Sequence, residues 1–266
     1  MIFRSLFFIF IYVPAMLVLI PTQFVITRLG LFWNVPTMLF HTLGCVFLGL
    51  RVKTIGEPLH GRPTLLLSNH ISWTDIIAIG SKADVTFVSK TGIRDTFFVG
   101  FMASLQKTIF VDYERRQDTR RTNSEMAKRL AGNSAVLLFA EGHRDLGSHV
   151  QPFRSALVGA AQAAMKEGGA TDVAIQPVAI AYTHLQGLPV SRNERAGISG
   201  MNARGFRAVV SNLLTSGMKD VTIAFGAPIP LETGTDRKVV TKIAEDRVRR
   251  MLVALNRGQP VPELAA

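Results

Sequence analysis

The sequence predicts an α/β fold, a single mostly parallel or mixed sheet flanked by helices, which follows an N-terminal apolar helical membrane anchor. Two patterns carry this prediction. From residue 51 onward, short β-branched or aliphatic runs alternate with helical patterns, which is typical of sheets built from βα units. Residues 1–50 contain Arg4 and Arg28 as their only charged side chains, and a segment this apolar is suited to a lipid environment.

Composition narrows the class of protein. The chain has 266 residues, a net charge of +11 and a mean hydropathy of +0.26. Beyond residue 50 there are 28 basic and 19 acidic side chains, a net of +9. A hydrophobic content of 48% excludes a disordered or collagen-like chain. The single cysteine, Cys45, excludes an internal disulfide and a cysteine-based zinc site.

Two apolar segments make up the anchor, one on each side of Arg28. Each is long enough as a helix to cross about 30 Å of hydrocarbon. Two prolines interrupt the first segment, so one spanning helix and a two-helix hairpin within one leaflet both remain open. A cleaved signal peptide fits less well, because the apolar run exceeds the roughly 7–15 residues of a signal core. Basic residues beyond the second segment place the rest of the chain in the cytoplasm.

The predicted elements of the body follow hydrophobic periodicity, in a domain from 51 to 258 with a loose tail at 259–266. The predicted strands are Thr64–Ser68, Val85–Val88, Thr108–Val111, Ala135–Ala140, Val173–Ile180 and Val221–Phe225. The predicted helices are Trp73–Gly80, Ile93–Leu105, Arg120–Leu130, Ser155–Lys166 and Arg237–Leu255. The segment Gly187–Gly217 has no clear period and is expected to hold a loop and a short helix.

The first candidate site comes where the strand Thr64–Ser68 ends. Open α/β sheets bind ligands at the carboxyl ends of their strands. His70 can take a proton from a hydroxyl near neutral pH, and Asp75 can accept its other ring N–H and orient it. No G-x-S-x-G nucleophile is present, so the substrate is expected to bring the attacking hydroxyl. Considered alone, the pair also fits a helix cap beside a turn histidine, which is the commoner arrangement.

A second candidate site follows the strand Ala135–Ala140. Backbone amides around Gly142 and the guanidinium of Arg144 can hold a phosphate, and Glu141 can accept hydrogen bonds from a polyol or organise Arg144. The alternative is an ordinary turn with a surface Glu–Arg pair. A third cluster, Ile109 through Arg116, is basic after a strand and suits either an anionic headgroup or a solvated helix face.

Taken together and in this order, these residues resemble the motifs of the 1-acyl-glycerol-3-phosphate acyltransferase family. The family's N-H-x4-D motif is similar to Asn69, His70 and Asp75, and its F-P-E-G-T-R block is similar to 139–144. Its remaining motifs resemble Ile109 through Arg116, Phe153 with Arg154, and Ile175 through Ile180. The resemblance covers about residues 64–180.

The resemblance implies transfer of a fatty acyl group from an acyl thioester to the free hydroxyl of a lysophospholipid, foremost 1-acyl-glycerol-3-phosphate, giving phosphatidic acid. His70 would act as general base and Asp75 would orient it, with no acyl-enzyme. The residues expected to bind the acceptor are Glu141, Gly142, Arg144, Arg115, Arg116, Tyr113, Arg154 and Pro177. The donor would be acyl-ACP or acyl-CoA as co-substrate, and neither cofactor nor metal is expected.

Three positions depart from the family pattern: Tyr113 replaces an arginine, Ala140 a proline and His143 a threonine. Loss of an arginine from a phosphate clamp leaves the acceptor open, so another lyso-lipid such as lyso-ornithine lipid is an alternative. A non-catalytic membrane lipid-binding protein is a further alternative, against which the intact His70 and Asp75 pair argues.

The expected partners are a lyso-lipid acceptor, an acyl carrier protein or coenzyme A thioester, and an anionic membrane. Nucleic acid is not expected, because aromatic residues do not alternate with the basic ones and no nucleic-acid-binding motif occurs. The expected location is the bacterial inner (cytoplasmic) membrane, with the catalytic domain on the cytoplasmic face.

Overall fold

A computed structural model describes residues 2–31, 34–112, 116–132, 134–156, 158–159, 161–162, 173–201, 211, 215, 217–231 and 236–262. Within these residues one sheet holds nine strands. They are β1 (Leu50–Ile55), β2 (Thr64–Ser68), β3 (Thr86–Lys90), β4 (Ile109–Val111), β5 (Ala135–Phe139), β6 (Ala174–Leu185), β7 (Leu188–Pro189), β8 (Lys219–Phe225) and β9 (Ile229–Pro230).

The sheet is mixed, with strand order β1-β8-β6-β2-β5-β3-β4, and β7 and β9 also pair with β6. Strands β6, β2, β5, β3 and β4 run parallel. Strand β8 pairs antiparallel with β6 and parallel with β1. The central strand β2 is buried at every position, as its unbroken aliphatic run requires of a strand covered on both faces. The predicted fold class is confirmed.

Helices cover both faces of the sheet. They are α1 (Ile2–Phe7), α2 (Val13–Leu29), α3 (Asn34–Leu48), α4 (Thr74–Gly80), α5 (Thr91–Arg94), α6 (Phe97–Leu105), α7 (Arg116–Ala131), α8 (Arg192–Ser199) and α9 (Arg237–Arg257). Side chains of α7 and α9 share one buried cluster with one face of the sheet. Side chains of α3 and α4 share a second cluster with the other face.

The N-terminal helices pack on the body. A π-helical turn (Phe8–Tyr12) joins α1 to α2. The stretch from Arg4 to Leu29 has 26 residues, and its most apolar 18 residues have a mean hydropathy of 2.2, so it is long and apolar enough to cross a membrane. Near its start, Arg4 Nε donates to the carbonyl of Phe47 at 2.9 Å. Near its end, Gln23 Nε2 donates to the carbonyl of Leu105 at 3.2 Å. Both ends of this long apolar stretch therefore touch structure that belongs to α3 or to the body.

The strands predicted from sequence lie within a few residues of β2 to β6 and β8, whereas β1, β7 and β9 were not predicted. Strand β1 is an edge strand with its Arg and Lys side chains exposed, so it lacks the apolar run of a central strand. The predicted helix Ile93–Leu105 is wrong as one element, because Thr96 is extended and separates α5 from α6. Half of the predicted helix Ser155–Lys166, namely residues 157, 160 and 163–166, lies outside the described residues. In Gly187–Gly217 the expected short helix is α8, which starts with a capping box of Ser191 and Glu194.

Candidate active site

The sheet register brings the first two sequence motifs together. Strands β2 and β5 are adjacent and parallel, with Ser68 opposite Phe139. The residues that follow each strand therefore emerge at the same sheet edge, and the amide of Ala140 donates to the carbonyl of Ser68 at 3.0 Å. His70 and Glu141, distant in sequence, become neighbours for this reason.

His70 and Asp75 form a hydrogen-bonded pair. His70 Nδ1 lies 2.9 Å from Asp75 Oδ2, and the Asp75 side chain is fully buried. The same oxygen accepts the backbone amides of Ile71 at 2.7 Å and Ser72 at 3.0 Å. Asp75 lies in the first turn of α4, where free amides and the helix dipole favour a carboxylate. A buried carboxylate that accepts several hydrogen bonds is held in one orientation, so it is well suited to orient a histidine.

The second oxygen of Asp75 has a partner that sequence reasoning missed. Tyr182 Oη donates to Asp75 Oδ1 at 2.8 Å and lies 2.6 Å from Thr74 Oγ1. Burial, and then the Asp75 charge, raise the pKa of Tyr182, so its phenol keeps the proton that it donates. The one available sequence signal was a tyrosine directly after the aliphatic run 178–181 within β6.

The imidazole of His70 contacts Phe139 in addition to Asp75. Its ring stacks on Phe139, with centroids 4.0 Å apart and an interplanar angle of 18°. Its side chain is 16% exposed, and among the described residues Nε2 has no hydrogen-bond partner. With Nδ1 engaged by Asp75, Nε2 is the nitrogen left to take a proton from a bound hydroxyl.

The Glu141 carboxylate accepts hydrogen bonds from the backbone at His70 and at Gln151. Its Oε2 accepts the His70 amide at 2.7 Å and its Oε1 accepts the Gln151 amide at 2.8 Å. Burial raises the pKa of Glu141 to about 7, although the two amides act in the opposite direction. The Asp145 amide donates to the His70 carbonyl at 2.8 Å. Because both Glu141 oxygens bind the main chain, the structure gives this residue a positioning role. Its expected contact with the acceptor stays a prediction.

Asn69 ties the motif to the neighbouring strand. Its Nδ2 donates to the Ile180 carbonyl at 3.0 Å, and its Oδ1 accepts the Ile180 amide at 2.9 Å. The side chain thus extends the pairing of β2 with β6 by one step beyond Ser68. The strand that carries Tyr182 is thereby held in place against the segment that carries His70.

Four of the remaining expected acceptor residues lie in the described part of the chain. Gly142 has a φ of +75°, and a Cβ there would lie 2.7 Å from Arg154 Nε, so the glycine lets the exposed Arg154 lie close over the turn. Arg144 is exposed and its Nη1 donates to the Ser199 carbonyl at 3.3 Å. Pro177 is buried within β6 opposite Leu67, and its expected contact with the acceptor stays a prediction.

Tyr113, Arg115 and the side chain of Arg116 lie outside the described residues, so their expected headgroup contact stays a prediction. The described residues contain no group of three His, Cys, Asp or Glu side chains arranged to hold a metal ion. The expectation that no cofactor is needed stays a prediction as well.

This arrangement belongs to a known class. A model of the family described as Acyltransferase matches residues 51–181, which include His70, Asp75 and Glu141. The fold is that of a solved structure, the 1-acyl-sn-glycerophosphate acyltransferase PlsC from Thermotoga maritima, with a TM-score of 0.66 and 20% identity over 96% of this chain and 95% of that one. The chain belongs to the acyltransferase family, as its motifs suggested.

Relatives define the particular kind of acyltransferase. The chain is 39% identical to the lyso-ornithine lipid O-acyltransferase of Brucella abortus, over 96% of this chain and 97% of that protein. It is 32% identical to the lyso-ornithine lipid O-acyltransferase of Rhizobium meliloti, over 85% and 80%. It is 26% identical to the 1-acyl-sn-glycerol-3-phosphate acyltransferase of Neisseria gonorrhoeae, over 79% and 77%. The chain is therefore an enzyme of the lysolipid O-acyltransferase type.

Proposed function

We propose that this enzyme transfers a fatty acyl group from an acyl thioester to the free hydroxyl of a lyso-ornithine lipid, with His70 as general base. The full-length similarity to the Brucella abortus enzyme carries the choice of acceptor. Tyr113, at the position of a family arginine, supports an acceptor that does not require the whole phosphate clamp. Lysophosphatidate is the second candidate, supported by the motif resemblance and by the Neisseria relative.

The proposed reaction follows from the geometry of His70. Nε2 removes the proton of the acceptor hydroxyl as its oxygen attacks the thioester carbonyl. The buried Asp75 carboxylate stabilises the imidazolium that forms. When the tetrahedral intermediate collapses, the carbon–sulfur bond breaks and the imidazolium protonates the leaving thiolate. Acceptor and donor are bound together, and no acyl-enzyme forms.

We further propose that the N-terminal helices hold the enzyme at a membrane as a hairpin. The contacts of Arg4 with Phe47 and of Gln23 with Leu105 support this arrangement over a helix that leaves the body to span the bilayer. The proposed donor is acyl-ACP or acyl-CoA. The proposed location is the cytoplasmic face of a bacterial inner membrane, because acyl carrier protein and coenzyme A are soluble carriers inside the cell.

The test of the base is His70→Ala in the purified full chain, with labelled acyl thioester and lyso-ornithine lipid. Loss of a general base is expected to lower kcat by about 10²–10⁴-fold. His184→Ala is the matched control, because His184 is half exposed on β6 and should leave the rate within about twofold. Undiminished transfer by His70→Ala would overturn the mechanism.

The acceptor is tested on a panel of lyso-ornithine lipid, lysophosphatidate and other lysophospholipids. The proposal expects the highest kcat/KM with lyso-ornithine lipid. In the same panel, Tyr113→Arg is expected to move preference toward lysophosphatidate by restoring a guanidinium. A wild-type preference for lysophosphatidate would replace the leading acceptor by the second candidate.

A further inference from the structure

Helices α5 and α6 expose an aromatic surface, defined here as Ile93, Phe97, Phe98 and Phe101. Phe97 is 95% exposed and Phe98 is 61% exposed, and the other two are also exposed. Scattered single apolar residues are normal on protein surfaces, but large side chains grouped in one short segment mark an interaction site.

The local structure forces these side chains outward. A Cβ on Gly100 would lie 2.1 Å from the carbonyl oxygen of Arg94, so the glycine lets the end of α5 press against α6. The Gly100 amide donates to the Thr96 carbonyl at 2.7 Å. Gly100 and Leu105 are buried, so Phe97 and Phe101, one turn apart, lie on the outer side of α6.

The aromatic surface adjoins the N-terminal helices. Gln23 of α2 donates to the carbonyl of Leu105 at the end of α6. Leu19 of α2, Phe40 of α3 and Met102 of α6 line one shared apolar recess. Beside this contact Phe24 of α2 is exposed. The exposed apolar side chains of α2 and α6 therefore belong to neighbouring, mutually packed elements.

The surface has a basic flank. Lys90 and Arg94 adjoin it in the chain, and the Arg94 guanidinium lies 6.0 Å from the ring centroid of Phe110. Asp95 is the one acidic residue from 90 to 107. Exposed aromatic rings beside long basic side chains suit the boundary of an anionic lipid leaflet, where rings enter the acyl region and cations meet headgroups.

We propose that the aromatic surface of α5 and α6 is a second membrane contact, inserted in an anionic leaflet beside α2. Helix α5 begins directly after β3, at the sheet edge where His70 follows β2. The contact would hold this edge against the leaflet. The inference deepens the proposed function, because it rests on an acceptor lipid that resides in that leaflet.

The experiment measures depth in the membrane at single positions of the full chain. In a Cys45→Ala background, Phe97→Cys and Phe98→Cys carry an environment-sensitive fluorophore, and vesicles of phosphatidylglycerol and phosphatidylcholine contain spin-labelled lipids. Val239→Cys is the control, because Val239 is exposed on α9, across the sheet from α3. Leu17→Cys, on the exposed side of α2, reports whether the chain is bound.

The proposal expects quenching at positions 97, 98 and 17 by spin labels in the acyl region, and none at 239. Phe97→Ser combined with Phe98→Ser is expected to weaken vesicle binding about tenfold or more, since two rings lose their apolar environment. Quenching at 17 without quenching at 97 and 98 would overturn the proposal. If the fluorophore emission changes when acyl carrier protein is added but not when vesicles are added, the proposal is also overturned, and a protein partner is favoured.

Quenching is measured without acyl thioester and without acceptor lipid. Its result therefore does not depend on the proposed acyl transfer. Normal acyl transfer with no quenching at 97 and 98 would reject the membrane contact alone. Quenching without transfer to any acceptor would reject the proposed function alone.

Discussion

The hydrogen bond from Tyr182 to Asp75 links the proposed base to the core of the sheet. Asp75 directs one oxygen to His70 and the other to Tyr182, and Thr74 completes the chain of hydrogen bonds. Donation by Tyr182 draws charge from the carboxylate and weakens its attraction for the imidazolium. Tyr182 is therefore a positioning residue that acts through Asp75.

Tyr182→Phe removes this donor and keeps the ring. We expect the acidic limb of the kcat/KM profile to move to higher pH, because the less shielded carboxylate stabilises the protonated imidazole more strongly. Thr74→Val is the control, since Tyr182 still donates to Asp75 in that variant. The measurement is the pH dependence of acyl transfer. A purely structural tyrosine would lower the rate and leave the profile in place.

Glu141 makes stability depend on pH. Its pKa is raised by burial to about 7, above the ordinary carboxyl value, so the folded chain holds a proton at pH values where the unfolded chain has released it. The free energy of unfolding should therefore fall as pH rises from about 4.5 to about 7 and show no further change from this group above that range. Denaturant unfolding in detergent at several pH values measures the slope.

Glu141→Gln should flatten that slope, because glutamine does not titrate. It should also lower activity, because its NH₂ group must face one of the two backbone amides that the carboxylate now accepts. An unchanged slope would show that Glu141 titrates alike in both states.

At the scale of elements, helix α9 secures the segment that carries Arg154. Glu245 Oε2 accepts the buried amide of Phe153 at 2.9 Å, while its Oε1 pairs with Lys242 and Arg249. Gln151, two residues before Phe153, donates its backbone amide to Glu141. The end of the sheet and α9 thus jointly fix the turn around Gly142.

Glu245→Ala leaves the Phe153 amide without this acceptor, and we expect the free energy of unfolding to fall by about 1–3 kcal/mol. Asp246→Ala is the matched control, because Asp246 pairs with the same Lys242 and Arg249 but is half exposed. Its loss should cost about 0.5 kcal/mol or less. Chemical denaturation in detergent compares the two, and equal losses would contradict the role given to the Phe153 amide.

At the scale of the whole molecule, the N-terminal helices are part of the fold. Cys45 and Leu48 of α3 belong to the buried cluster on one sheet face. Helix α3 also touches α4 closely, since a Cβ on Gly80 would lie 2.5 Å from the His41 ring. The N-terminal apolar segment and the body therefore share a core.

Deletion of residues 1–48 should therefore abolish cooperative unfolding even in detergent, because it uncovers that cluster. In contrast, Leu17→Ser combined with Val18→Ser, on the exposed side of α2, should keep the melting temperature in detergent and weaken membrane binding. Circular dichroism melts and membrane fractionation measure both. If the truncated chain melts like the full chain, the body folds without residues 1–48 and the prediction is wrong.

Local sequence patterns were enough to predict several elements and motifs of this protein. The aliphatic run at Thr64–Ser68 and the spacing of His70 and Asp75 depend on neighbours within a few residues, so strand, turn and pair could be predicted together. The Ile93–Leu105 pattern also has the apolar spacing of a helix, yet the break at Thr96 depends on how Gly100 meets Arg94. Apolar periodicity does not record such a contact.

The sequence by itself determined the α/β class, the order of the motifs, the family and the proposed His70–Asp75 pair. Tertiary structure decided that Tyr182 completes the Asp75 site, that Glu141 binds the main chain, and that Pro177 is buried. These outcomes depend on β6, β2 and β5 lying side by side, although more than 30 residues separate each strand from the next along the chain. Strand order follows from burial of both sheet faces at once, which is a property of the whole chain and not of any segment.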